Sequence, residues 1–455
     1  MVEVILIILL SLIVLITSIL LFRCSSASMS LVSLDMTTVV FYKDFLILSF
    51  FGTVLVFCSI DVVFENVKFF GISGVVSEDS RFYGWVAVMY ALIAFPLGVI
   101  LSNLVYFNDP SSRKYIRQFK EKKVISLLGD ARKEIKFFIL TFLLAAFGGL
   151  YIFYAIGDFP LRVAFSGASK ELLAQIRSNA KIHFSGIKAI KDVVGINLSV
   201  LTSYLFYAYT FVDRSFLSKA LFGASTILVF LVTTYNLEKI PFFFYLFGLV
   251  LIRMIIRRDV SLYRILLFVI IVLLGLLGAY YLVSGGSNIL TILKSMLMRI
   301  FLAETSSVFL SFEYFPNSVD FLGVKGISNS LASIFAEDRV MYGRKIFELY
   351  NPDAVDRNVA GYIVGLFVAE SWALFGWYGV LLIPLYVGFI FQSVHNILIR
   401  LPKNPIVLAL YAFFSIRWGL TGGVSHVLFP SVLVATTILF LIFPLLLKLK
   451  LKRSE

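Results

Sequence analysis

MVEVILIILLSLIVLITSILLF, residues Met1 to Phe22, presents almost uninterrupted aliphatic side chains, with Ser11, Thr17 and Ser18 the polar exceptions after Glu3. Such a run supplies the roughly 20 helical residues that about 30 Å of hydrocarbon requires. Arg23 and CSSASMS follow it without a small-residue cleavage site, so the sequence predicts a retained first span rather than a removed signal. The rest of the chain agrees. Its hydrophobic share is 60%, its charged share 15% and its mean hydropathy +0.95, whereas soluble domains are typically about 45 to 50% apolar. Tested by length, eleven stretches qualify as spans: 2–22, 45–63, 82–106, 137–156, 194–212, 216–234, 241–256, 263–284, 373–393, 405–421 and 429–447. The expectation is an all-α, polytopic integral membrane protein, residues 1–455 forming one transmembrane domain.

Lysine and arginine collect beside spans on the cytoplasmic side. The loop 107–136 carries nine bases against Asp109, Glu121, Asp130 and Glu134. Arg253, Arg257, Arg258 and Arg264 crowd a second junction, and Lys448, Lys450, Lys452 and Arg453 end the chain. Placing all three inside puts the N-terminus outside and leaves two sizeable external loops, 157–193 and 285–372. The net charge of +13 is therefore largely topological. The bases lie at span ends without a basic, aromatic-interleaved domain, so no nucleic-acid partner is expected.

Cys24 and Cys58 cannot build a disulfide framework or a metal cluster, and His183, His395 and His426 are isolated in sequence. The chain has no phosphate-binding loop or dinucleotide fingerprint, which argues against a nucleotide cofactor. The expected cofactor and metal content is none. The predicted span interiors are nearly free of charge, which counts against an ion-coupled transporter.

Chemistry is expected where the chain leaves hydrocarbon. From Asn288 to Leu310 the pattern is helical, with Arg299 free either to snorkel at the interface or to meet a substrate. Glu313 stands between Phe312 and Tyr314, where partial desolvation would suit acid–base work and where a salt bridge is the plainer reading. Arg417 and His426 flank WGLTGGVS; the arginine snorkels or joins the histidine in a diphosphate site. Tyr314 either anchors at the interface or stacks on a sugar.

The run Met298 to Gly323 resembles the signature of bacterial oligosaccharide repeat-unit (O-antigen) polymerases of the Wzy family. The matching residues are Arg299, Ile300 and Phe301, then Glu313, Tyr314, Phe315, Pro316 and Asn317, then Phe321, Leu322 and Gly323. Asn358, Gly361, Glu370, Phe375, Gly376 and Gly379 are similar to the family's re-entry into the membrane, and YNLEKIPFFFYLFGL, with Lys239, is similar to a short external turn. The family's arginine-x10-glycine pattern is missing after Arg162, Arg177, Arg299 and Arg344. The resemblance implies a glycosyltransferase of the bacterial inner membrane, used in lipopolysaccharide or related polysaccharide synthesis and acting on the periplasmic side. It would move a glycan from undecaprenyl diphosphate, within membrane lipid, to another lipid-linked repeat unit, with a chain-length regulator as partner. Arg299 and Glu313 would be catalytic. Lys239, Arg344, Arg357, Arg417, His426, Arg162, Arg177 and Tyr314 would bind substrate. The alternatives are an O-antigen ligase, which would carry a histidine in the large loop, and a lipid-linked oligosaccharide transporter or flippase.

Overall fold

The computed structural model describes residues 2–26, 29–31, 33–61, 72–157, 184–236, 240–257, 261–284, 288–353 and 365–452, with 163, 176, 180, 238, 362 and 363. In chain order the helices are α1 (Val2–Ser25), α2 (Met36–Phe57), α3 (Glu78–Phe107), α4 (Arg113–Glu121), α5 (Ala131–Ile156), α6 (Ile190–Val212), α7 (Phe216–Thr233) and α8 (Ile240–Ile256). They continue with α9 (Leu262–Ser284), α10 (Ile289–Phe301), α11 (Ala303–Tyr314), α12 (Asn329–Ile334), α13 (Tyr342–Tyr350), α14 (Phe367–Arg400), α15 (Pro405–Arg417), α16 (Val424–Leu428) and α17 (Ser431–Lys452). No strand occurs among the described residues.

Eight of these segments are long and apolar enough to cross a membrane: α1, α2, α3, α5, α6, α7, α14 and the stretch Val424–Leu447. The shorter apolar helices α8, α9 and α15 fall where the other three spans were expected. Ile5, Leu6, Leu9 and Ile13 of α1 and Ile270, Ile271 and Leu274 of α9 are exposed. An aliphatic coat of this extent is untenable in water and normal against lipid. The chain is a multi-pass, all-α membrane protein.

The expected start of the second span, residue 45, is too late. α2 begins at Met36 because Asp35 caps it: its carboxylate accepts from Thr38 N–H, and Thr38 Oγ1 accepts from Asp35 N–H. Its middle, Phe41–Phe50, is π-helical. Lys43 and Asp44, assigned to a loop by the hydropathy reading, are therefore inside the bundle.

α3 and α14 form the central pair. Gly98 has no room for a methyl group, since a Cβ there would lie 2.1 Å from Leu385 O, and one on Gly388 would lie 2.2 Å from Phe95 O. Small residues let the two backbones touch. At one end Gln392 Nε2 donates to Asn103 Oδ1 (2.9 Å) and to Asn396 Oδ1 (3.0 Å), and Thr37 Oγ1 donates to Gln392 Oε1 (2.6 Å). Tyr90 donates to Leu381 O, and Ser102 bonds Ser393, so residue numbers rise together and the helices run parallel. The α10–α11 pair is bent by 54° at its break, the form of a broken span or of a re-entrant loop.

Segment 285–372 is only partly the external loop that hydropathy suggests. α11 is built into the bundle: Thr305 to Phe312 are buried, and Phe309 packs where a side chain on Gly84 would stand. Its serines and threonine satisfy their hydroxyls on the preceding turn, which hides their polarity from the apolar surroundings. Gly98→Val should therefore cost roughly 1–3 kcal/mol by overpacking, and thermal unfolding of the detergent-solubilised protein should show a lowered midpoint against wild type.

Candidate functional site

α14 is two helices joined at Gly376, whose φ of 58° and ψ of −139° suit glycine. Beyond it the chain descends beside α3; before it, Phe367–Phe375 runs the other way. Trp372 stacks on Phe312 at 4.2 Å and its Nε1 donates to Phe315 O (2.9 Å), which ties this short arm to α11. Phe367 sits 6.4 Å from the ring of Phe45, and Phe45 lies 5.0 Å from Phe95, eighteenth of the 30 residues of α3. The arm thus begins deep in the bundle.

Irregular backbone meets there. Gly365 and Gly422 form an isolated parallel bridge, and Phe367 N–H donates to Leu420 O (2.9 Å). Non-helical backbone at membrane depth is tolerated where protein buries it or where it lines a polar cavity. Three helix breaks converge on this level: between α10 and α11 at Leu302, before α14, and between α15 and α16.

Ionisable side chains collect at the breaks. Asp44 is fully buried, with Lys43 Nζ 3.5 Å from its Oδ1 and the Leu420 backbone N–H directed at it, and neither contact meets full hydrogen-bond geometry. Glu304, in the first turn of α11, lies within electrostatic reach of Asp44 and Lys43, and its Oε2 is buried without a partner. Thr305, the next residue, donates to Ser49 O, and Ser49 donates to Asp44 O (2.6 Å), which fixes α11 against the π-helical turn. Glu370 accepts from Ser425 N–H (2.9 Å) and Ser425 Oγ (3.2 Å). Tyr342, 1% exposed, stands within reach of both Glu370 and Glu304, and its hydroxyl meets the Gly365 backbone N–H short of full hydrogen-bond geometry. Burial, reinforced by those carboxylates, holds its phenol well above the usual tyrosine range. Tyr362 is pushed up to about 12, by burial first and then by Glu370. Both phenols remain proton donors.

On the surface nearby, segments 319–325 and 339–348 enclose a groove of about 510 Å³. Lys325, Arg339, Arg344 and Lys345 line it against Asp320 and Glu348. Lys325 pairs with Glu337 (2.8 Å) and Arg344 with Glu348 (3.0 Å). Arg339 makes no ion pair among the described residues; its Nε donates to Gly326 O (3.4 Å), and it lies within reach of Glu370 and Tyr362.

The residues singled out from sequence are not gathered in one cavity. Arg299 is exposed on α10 and outside this groove. Glu313 is partly buried and makes no salt bridge among the described residues: it accepts from Ser77 N–H and Ser77 Oγ, both at 2.8 Å, and so docks the end of α11 on the N-terminus of α3. Tyr314 is half-buried beside it. Arg417 faces Tyr204 and Asp192, and its Nη2 is buried without a hydrogen bond among the described residues. His426 turns its ring to the Arg417 carbonyl, so these two are neighbours as expected. Lys239, Arg357, Arg162 and Arg177 lie outside the described residues.

Charge-poor spans are the expectation that fails. Asp44, Glu134 and Glu370 are all buried in spans. Asp44 was missed because hydropathy began α2 too late, and its only sequence signal is the polar pair Lys43–Asp44 inside an aromatic run. Tyr342→Phe should leave the thermal midpoint unchanged or raise it, since the lost hydroxyl makes no hydrogen bond of full geometry, while Glu370→Ala should cost about 1–3 kcal/mol by stranding the buried Ser425 N–H. The chain matches no known protein-family model, no curated protein and no solved structure.

Proposed function

We propose that the chain is a glycan polymerase of the bacterial inner membrane that extends lipid-linked repeat units at the periplasmic face. The observation that carries this reading is the basic groove beside a buried carboxylate: Lys325, Arg339, Arg344 and Lys345 line the groove, and Glu370 lies within reach of Arg339. In the reaction the bond between the donor sugar and its diphosphate breaks and the diphosphate leaves with the electron pair. The acceptor hydroxyl attacks the same carbon and gives up its proton. Guanidinium groups suit the departing diphosphate because their planar donors meet phosphate oxygens in pairs. Arg339, free of an ion pair among the described residues, is the cation we assign to it. Glu370 is the carboxylate we assign to take the proton. Glu313 then has an anchoring role, and Arg299 stands outside the groove.

A lipid-linked oligosaccharide transporter is the second reading, favoured by the broken helices and buried carboxylates, a pattern that secondary transporters place at the bilayer midplane. Deletion of the gene separates the two. Loss of a polymerase leaves surface polysaccharide with one repeat unit per chain on a gel; loss of a transporter leaves none. In a complemented strain Arg339→Ala should lower elongation by roughly 10²-fold or more, as removal of an oxyanion-stabilising donor does. Arg299→Ala should keep near-normal chain lengths. Normal chains with Arg339→Ala would remove the groove from the mechanism.

A further inference from the structure

The Asp44 carboxylate is fully buried, and Glu304, half-buried with its Oε2 enclosed, lies within its electrostatic reach; both are underpaired, and this bears on the chain whichever function it performs. Ionised, they carry two negative charges, and Lys43 is the cation beside them. Lys43 is 15% exposed, lies over the ring of Phe244 at 5.3 Å and reaches Asp44 at 3.5 Å. The Leu420 backbone N–H, a neutral donor, is directed at Asp44, and Lys294 and Arg299 are the charged residues of α10, with Arg299 exposed. α13 contributes Tyr342; α14 contributes Glu370, which Ser425 holds. Arg339 faces Glu370 and Tyr362 rather than this pair. Arg417 faces Tyr204 and Asp192, and His426 faces the Arg417 carbonyl. α1 and α3 bring Phe22 and Phe95 against Phe45. One negative charge is left over. An unpaired buried charge is neutralised rather than tolerated.

The Tyr342 phenol, buried and beside the Gly365 backbone, is within electrostatic reach of both Glu304 and Glu370. We infer that Asp44 and Glu304 form a proton-binding site, holding a single proton between them across the contact between α2 and the break that opens α11. Two carboxyl groups sharing a site ionise as a pair rather than independently. Releasing the proton would set two like charges against each other between the π-helical turn of α2 and the first turn of α11. The break at Leu302 is the joint that such repulsion would move.

The test is infrared spectroscopy of the purified full-length protein in lipid nanodiscs at neutral pH, following the carbonyl stretch of un-ionised carboxylic acid and its shift in deuterated water. The wild type should show the band. Asp44→Asn and Glu304→Gln should each abolish that component, because the surviving carboxylate is then matched by Lys43. Glu370→Gln should leave it in place. Lys43→Met should double it, since a second negative charge then needs a proton. Absence of the band from the wild type overturns the inference without any variant. So does its persistence in Asp44→Asn, which would place the proton on Glu304 alone, or its loss with Glu370→Gln only.

Discussion

Backbone contact between α3 and α14, at Gly98 and Gly388, is the constraint from which the interior follows. With the two helices side by side and parallel, the segment leading into α14 must first be carried to the end where α3 begins. The chain manages this with a short arm, Phe367–Phe375, that rises through the bundle and reverses at Gly376. An arm that starts deep brings peptide groups with no helical partner to that depth. Those groups are satisfied by the turn after α15, through the Gly365–Gly422 bridge and the Phe367–Leu420 hydrogen bond. A polar interior is thus a consequence of how the central pair packs.

Buried carboxylates in the same bundle differ in how fully their oxygens are hydrogen-bonded. Glu134 accepts from Leu127 N–H (3.1 Å), Leu128 N–H (2.6 Å) and Tyr209 Oη (2.7 Å), so its charge fastens the start of α5 to α6. Glu370 is likewise held by Ser425. Asp44 has only the Leu420 backbone and Lys43 directed at it, and Glu304 Oε2 is enclosed without a hydrogen bond among the described residues. A satisfied buried carboxylate rigidifies its surroundings, whereas an unsatisfied one costs stability and persists where something else is gained.

Much of the fold was legible because hydrocarbon is a simple selector: aliphatic runs such as Val4–Leu21 admit one reading. The site was less so. α2 begins at a capped, polar-tolerant turn, and hydropathy alone cannot see that Asp44 is fully buried within reach of Glu304 and the Leu420 backbone, residues distant in sequence. Glu304 was visible as a charge on a helix, but its meaning rests on the bend at Leu302. Glu313 was found by its aromatic neighbours and turns out to serve Ser77, a partner 236 positions earlier that no local pattern announces. Arg344 was singled out for its position in an external segment, and it does line the groove. Arg339, five residues before it, is the cation there without an ion pair among the described residues, and nothing in the sequence ranks one above the other.

The groove and the deep carboxylates are connected rather than separate. Arg339 is within electrostatic reach of Glu370 and Tyr362, Tyr342 of Glu370 and Glu304, and Glu304 of Asp44 and Lys43. Cationic at the surface and acidic below, this line of groups runs from a place that suits a phosphate to a place that suits a proton. Its phenols are protonated links between the two. Under the proposed function, a diphosphate entering the groove would neutralise Arg339 and so weaken its hold on Glu370, the group within its electrostatic reach.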